Sequence, residues 1–141
     1  MLQLSWSDIE TLSKQLVKPL EGSQWAGVLA ITRGGLIPTG LLAQVLNIRR
    51  IETINIQSYN QEKSQAEMTI LNVPAIDNDG ENWLVVDDLV DSGETIRAVK
   101  KYFSKAVYAV LIAKPKGLMT VDHYVRVVEQ NMWVAFPWEK E

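Results

Sequence analysis

The 141-residue chain contains no cysteine, which excludes disulfides, zinc fingers and thiol nucleophiles. It has no basic excess either. Lys and Arg number 14 against 17 Asp and Glu, a formal charge of -3. A protein that tracks nucleic-acid phosphates usually carries a basic surplus or stripe. Here Lys100, Lys101 and Lys105 form only a small cluster, so no nucleic-acid partner is expected. Long apolar runs are missing as well, and Met1 to Asp8 lacks the charged and apolar blocks of a signal peptide. No integral membrane contact and a cytoplasmic location are therefore expected. There are no repeats, linkers or low-complexity stretches, which points to one domain over residues 1–141. What remains is an ordinary globular composition in a chain long enough to bury a core.

Short apolar runs alternate with helical patterns, which predicts an α/β fold with a mainly parallel sheet flanked by helices. Ser7-Asp8-Ile9-Glu10 fits a capping box, and Trp6, Ile9, Leu12, Leu16 and Val17 follow at helical spacing until Pro19 and Gly22. Val28 to Ile31 reads as a buried strand and Leu36 to Leu46 as a helix with Pro38 in its first turn. Ile54 and Ile56 alternate with Asn55 and Gln57 as in a strand, and the polar, aperiodic segment Tyr59 to Glu67 reads as a solvated loop. Trp83 to Val86 is a second buried strand, followed beyond Thr95 by a helix presenting Ile96, Val99, Tyr102 and Phe103. Val107 to Ala113 is a third, and Tyr124 to Val128 a further strand. In open α/β sheets ligands bind beyond the carboxyl ends of the strands. Arg33-Gly34-Gly35, Asp87-Asp88 and Lys114 all fall at such ends.

The richest segment runs from Leu84 to Thr95: Leu-Val-Val-Asp-Asp-Leu-Val-Asp-Ser-Gly-Glu-Thr. Its second half suits a phosphate monoester. Ser92 and Thr95 supply hydroxyls, Gly93 lets the backbone approach closely, and amides at the start of a helix favour an anion. Asp87 and Asp88 would repel that phosphate, so they require a sugar diol or a cation such as magnesium, which rarely has an all-protein cage. Taken alone, an acidic pair at a strand end and a capping serine would be ordinary solvated features.

The segment resembles the binding motif for phosphoribosyl pyrophosphate (PRPP) of type I phosphoribosyltransferases, and the wider chain resembles the bacterial xanthine-guanine enzymes among them. The likeness runs from Trp25-Ala26-Gly27-Val28 to the Trp138-Glu139 pair. It implies the fold of that family, with a mainly parallel twisted sheet, flanking helices and a small hood region. It implies that Asp87 and Asp88 contact the ribose hydroxyls and the magnesium–PRPP complex, with Asp88 on Mg2+. It further implies that Asp91, Ser92, Gly93, Glu94 and Thr95 hold the 5'-phosphate. Asp91 would also lie near N7 of the purine as general acid or base, a role in which its environment tunes its protonation. Thr32-Arg33-Gly34-Gly35 would be the pyrophosphate loop, with a cis peptide before the arginine. In isolation that run is simply a strand-to-helix turn.

Lys114 closes a seven-residue apolar strand, a place where a lysine commonly snorkels out. In the resembling enzymes its ammonium donates to the 6-oxo group of the purine. An ammonium has donors only, so it disfavours the amino group of adenine. Trp133 would stack on the base and the Val134 backbone would meet the base edge, with Trp138 a packing residue. Glu139 stands where the resembling enzymes have an aspartate near the purine 2-position. The hood loop offers only Lys63 where the family carries an arginine. The activity implied is transfer of ribose 5-phosphate from PRPP to a 6-oxopurine (guanine, xanthine or hypoxanthine), in a homo-oligomer, either dimer or tetramer. Two alternatives stand beside it: a PRPP-sensing regulator that binds nucleic acid, and a phosphoribosyltransferase for another base.

Overall fold

A computed structural model describes residues 1–58 and 68–139. The chain opens with a two-residue strand, β1 (Leu2–Gln3), and a helix, α1 (Trp6–Val17). The α1 cap is a reciprocal box, but one placed two residues earlier than Ser7–Glu10. The Ser5 hydroxyl accepts from the Asp8 amide at 3.1 Å, and the Asp8 carboxylate accepts from the Ser5 amide at 2.8 Å. Trp6 and Ser7 are already helical, and an aspartate can close the box in place of the expected glutamate. These bonds hold the Asp8 carboxyl below the usual carboxylate range.

The remaining strands and α-helices are β2 (Gly27–Thr32), α2 (Leu36–Leu46), β3 (Ile51–Ser58), β4 (Met68–Ile70), β5 (Trp83–Val90), α3 (Glu94–Lys100), β6 (Val107–Ala113), β7 (Arg126–Val127) and β8 (Val134–Ala135). Six strands form one sheet in the order β4-β3-β2-β5-β6-β7, parallel throughout except for the β3/β4 pair. The two-residue alternation of the central strands divides them between two cores. Val28, Leu84, Val86, Ala109 and Leu111 pack with α1 and α2, whereas Leu29, Val85, Tyr108 and Val110 pack with Ile96, Val99 and Phe103. Both faces are thus covered by helices, which is why these strands read as unbroken apolar runs. Tyr102, expected on the α3 core face, is exposed while Phe103 is buried; both lie beyond Lys100, where helical spacing no longer sets the face a side chain takes.

Three strands differ clearly from their predicted extent. β3, expected from the alternation over 54–57, runs from Ile51 to Ser58. The segment from Tyr124 to Val128 contributes only β7, an edge strand with β6 as its single neighbour. β5 in turn does not end at Val86 but continues through the acidic pair to Val90. Its pairing with β2 stops at Ala30↔Val86, while its pairing with β6 continues to Val90↔Ala113. Beyond Val86 one edge of β5 is therefore open on the side where the chain turns from β2 into α2, and that opening is the cleft. The segment 59–67, with Lys63, lies outside the described residues.

Candidate active site

Because β5 is still extended at the acidic pair, successive side chains leave it on opposite faces. Asp88 shares the α1/α2 face with Leu84 and Val86. It lines a cavity of about 670 Å³ together with Arg33, Gly34, Trp138 and Glu139. Asp87 lies on the α3 face and lines a smaller cavity of about 200 Å³ with Asp91, Ser92, Gly93, Glu94 and Thr95. Asp87 Oδ1 accepts from the Asp88 amide at 2.8 Å. Burial, and after it the Asp88 charge, pushes the Asp87 carboxyl well above the usual range. Burial likewise raises Asp88, and the nearby Glu139 charge adds to this. Among the described residues neither carboxylate has an ion-pair partner.

The turn after β2 is shaped by close approach. The Thr32–Arg33 peptide is cis, as the resemblance implies. A Cβ at Gly34 would stand 2.6 Å from Asp88 Oδ2, and one at Gly35 would meet the backbone carbonyls of Val86 and Ile31. The two glycines thus let the turn lie directly against the end of β5 and place Arg33 at the rim of the larger cavity. Thr32 ends β2, and its hydroxyl donates to the Ile54 carbonyl at 3.3 Å, tying the turn to β3.

In the turn from Asp91 to Thr95 Gly93 has φ +94°, a left-handed conformation that glycine adopts without penalty. Its α-carbon abuts Thr120, and a Cβ there would stand only 2.7 Å from Thr120 Cγ2. Arg97 reaches back from α3 and donates to the Ser92 carbonyl at 3.2 Å. Asp91 is exposed, and its Oδ2 lies 3.7 Å from Nζ of Lys114, which is itself buried. Lys114 leads into a 3₁₀ turn over Pro115–Thr120, and its amide donates to the Val90 carbonyl, so the ends of β5 and β6 are locked together.

The C-terminal segment supplies the remaining wall. Trp133 is 70 % exposed, which leaves its ring face open. Its carbonyl and that of Ala135 both accept from backbone amides of the N-terminal segment, Leu2 and Leu4, at 2.8 and 2.9 Å. Backbone groups alternate along a strand, so the Val134 N–H and C=O point away from β1. Trp138 stacks on Phe136, with centroids 4.9 Å apart and planes 12° apart, and also lines the larger cavity. It therefore belongs both to the packing and to the wall. Glu139 Oε1 accepts from the Phe136 amide at 2.8 Å, a local bond that holds the side chain at the cavity.

Of the sequence-derived candidates, Arg33, Gly34, Asp88 and Glu139 line the larger cavity, and Asp87 and Asp91 to Thr95 line the smaller one. Lys114 joins them through Asp91 and Gly35 through its packing on Val86, whereas Thr32, Trp133 and Val134 line neither cavity. Two contributors escape a reading of the sequence. β1 anchors the Trp133 segment, and a two-residue strand has no periodicity to detect. Gln130 donates to Asp91 Oδ1 at 2.7 Å across 39 residues of sequence, and no local signal announces such a bond.

A family model for the phosphoribosyl transferase domain matches residues 2–141. A xanthine-guanine phosphoribosyltransferase of Desulfotalea psychrophila is 42 % identical over 139 residues, covering 98 % of this chain and 86 % of that protein. Among solved structures, a purine phosphoribosyltransferase from Pyrococcus horikoshii superposes with a TM-score of 0.82 at 26 % identity, covering 99 % of this chain and 95 % of the other. The xanthine-guanine-hypoxanthine phosphoribosyltransferase of Helicobacter pylori also gives 0.82, at 27 % identity and with 98 % and 93 % coverage. With this match spanning nearly its whole length, the chain belongs to the phosphoribosyltransferase family.

Proposed function

We propose that this protein is a purine salvage enzyme of the cytoplasm that transfers the 5-phosphoribosyl group of PRPP to N9 of a 6-oxopurine, releasing pyrophosphate. The observation that carries the base assignment is the Lys114–Asp91 pair, 3.7 Å apart at the ends of β6 and β5. In a 6-oxopurine the 6-oxo acceptor and N7 lie side by side on one edge of the ring. An ammonium and a carboxylate held next to each other match an oxo acceptor beside a protonated N7. Adenine would set an amino donor against the Lys114 donors. The open Trp133 face supplies a stacking surface, and the outward Val134 backbone groups meet the base edge.

The smaller cavity, with Ser92, Gly93 and Thr95, takes the 5'-phosphate, and the Arg33 turn takes the pyrophosphate. The acidic pair suits magnesium. Two carboxylates raised by burial and lacking any cationic partner among the described residues favour a cation. No group of three or more metal-ligating side chains occurs among the described residues, so the ion would share its coordination with substrate oxygens. Asp88 would hold it, with Asp87 toward the ribose, and when bound it would offset charge on the departing pyrophosphate. Asp91 accepts the N7 proton as the N9–C1' bond forms and the bond from C1' to the pyrophosphate oxygen breaks, its electron pair leaving with pyrophosphate. The rest is positioning and electrostatics, with no covalent enzyme intermediate.

The decisive assay supplies PRPP, magnesium and one base at a time. Nucleotide should form from guanine, xanthine or hypoxanthine and not from adenine, and Lys114→Ala should reduce guanine use far more than PRPP binding. Equal losses for both would refute the base-pocket assignment. PRPP binding without turnover of any base would favour a regulatory role.

A further inference from the structure

Gln130 lies between β7 and β8, outside every motif the sequence offers. Its Oε1 accepts from the Lys116 backbone amide at 2.8 Å. A backbone N–H can only donate, so this bond dictates which way the side-chain amide faces. Nε2 is thereby turned toward Asp91, donating to Oδ1 at 2.7 Å and making a longer contact to the Asp91 carbonyl at 3.4 Å. Lys114 stands at the other carboxylate oxygen, 3.7 Å from Oδ2. One side chain thus joins three segments: the phosphate loop after β5, the turn that follows Lys114, and the segment that continues to Trp133 and Val134.

An aspartate on an exposed turn, with 61 % of its side chain accessible, would otherwise sample several rotamers. A bond to Oδ1 from a donor that is itself anchored removes most of that freedom and leaves Oδ2 facing the Lys114 side. A neutral amide does this without adding charge, so the carboxylate remains available as a base, whereas an arginine would neutralise it. We propose that Gln130 is a positioning residue, which aims Asp91 Oδ2 at N7 of the base while Lys114 takes the 6-oxo group. This role rests on the acid–base reading of Asp91 given above.

Gln130→Glu separates the two functions of the side chain. It keeps an acceptor for the Lys116 amide but replaces the donor facing Asp91 with a second carboxylate. Gln130→Leu removes both. Both variants should lower kcat by about 10- to 100-fold with guanine, the scale expected for a misplaced catalytic group. KM for PRPP should stay within about 2-fold, since the phosphate contacts are untouched. In an Asp91→Asn background, Gln130→Leu should cost less than about 2-fold more, because its effect passes through Asp91. Wild-type turnover in Gln130→Glu would overturn the role in favour of a purely structural tie to Lys116, and so would fully multiplicative losses in the double variant. Impaired Asp91→Asn beside unimpaired Gln130→Leu would refute the Gln130 role alone. Unimpaired Asp91→Asn would refute the acid–base reading and this role with it.

Discussion

Replacing Gly34 with alanine sets a methyl group into space that Asp88 occupies. The new Cβ would lie 2.6 Å from Oδ2 and 2.7 Å from both Cγ and Oδ1. Ordinary contact begins near 3.4 Å, so the carboxylate must retreat by about 0.8 Å. It can do so, because the atoms in the way are the tip of a side chain at the wall of an open cavity. The folding cost should therefore be small, offset by the about 0.4–1 kcal/mol that alanine gains over glycine by restricting the unfolded chain. The catalytic cost should be large, since a displacement of roughly 1 Å in a reacting constellation can lower the rate about 10²-fold. Gly35→Ala makes the contrast. Its Cβ would meet the main-chain carbonyls of Val86 and Ile31, and backbone in the middle of a sheet cannot yield. Thermal melts and steady-state kinetics with varied PRPP and guanine test the pair. Gly34→Ala should melt within a few degrees of the wild type while kcat/KM falls by about 10²-fold, and Gly35→Ala should be the destabilised one. Turnover within about 3-fold of the wild type in a well-folded Gly34→Ala would refute the placement of Asp88 in the chemistry.

Gly93→Ala should raise KM for PRPP, because φ +94° is strained for alanine and the methyl group would press on Thr120 at 2.7 Å; an unchanged KM would place the 5'-phosphate elsewhere. Asp87 gives stability a pH dependence. Its raised carboxyl means that, between the ordinary value of 3.8 and its folded value, the native protein binds more protons than the unfolded chain. Stability from this group therefore falls as pH rises through that window. In melts of the ligand-free protein across the window, Asp87→Asn should abolish this component, and an identical slope in the variant would count against it. Tyr108→Phe should cost about 1 kcal/mol in chemical denaturation, since it deletes a buried 2.7 Å bond to the Phe103 carbonyl while leaving guanine kinetics unchanged. Burial keeps that hydroxyl's pKa raised, so the loss should not vary between about pH 6 and 9.

The parts of this protein that are legible in sequence are those written into neighbouring residues. Apolar runs announce β2, β5 and β6 because a strand covered on both faces needs apolar side chains at every position. α2 and β6 take their expected bounds, and the turn from Asp91 to Thr95 declares itself because a glycine and clustered hydroxyls occur within five residues. The full length of β5 is hidden for a related reason. Hydrophobicity stops at Val86, but the pairing that sustains the strand to Val90 comes from β6, about 23 residues downstream.

What tertiary structure decided is which side chains meet. The sequence places Asp87 beside Asp88, but only the extended backbone at that point sends them to two different cavities. Gly34 reads as a turn residue until the fold lays it against the Asp88 carboxylate. The bond from Gln130 to Asp91 and the pairing of β1 with β8 join residues far apart in the chain. Such contacts depend on loop closure and packing, which no local pattern of residues encodes. The sequence by itself determined the central buried strands, the helices that cover them and the chemical groups at the strand ends. The fold decided the distances among those groups, because these are set by how the sheet brings the carboxyl ends of β2, β5 and β6 to one edge.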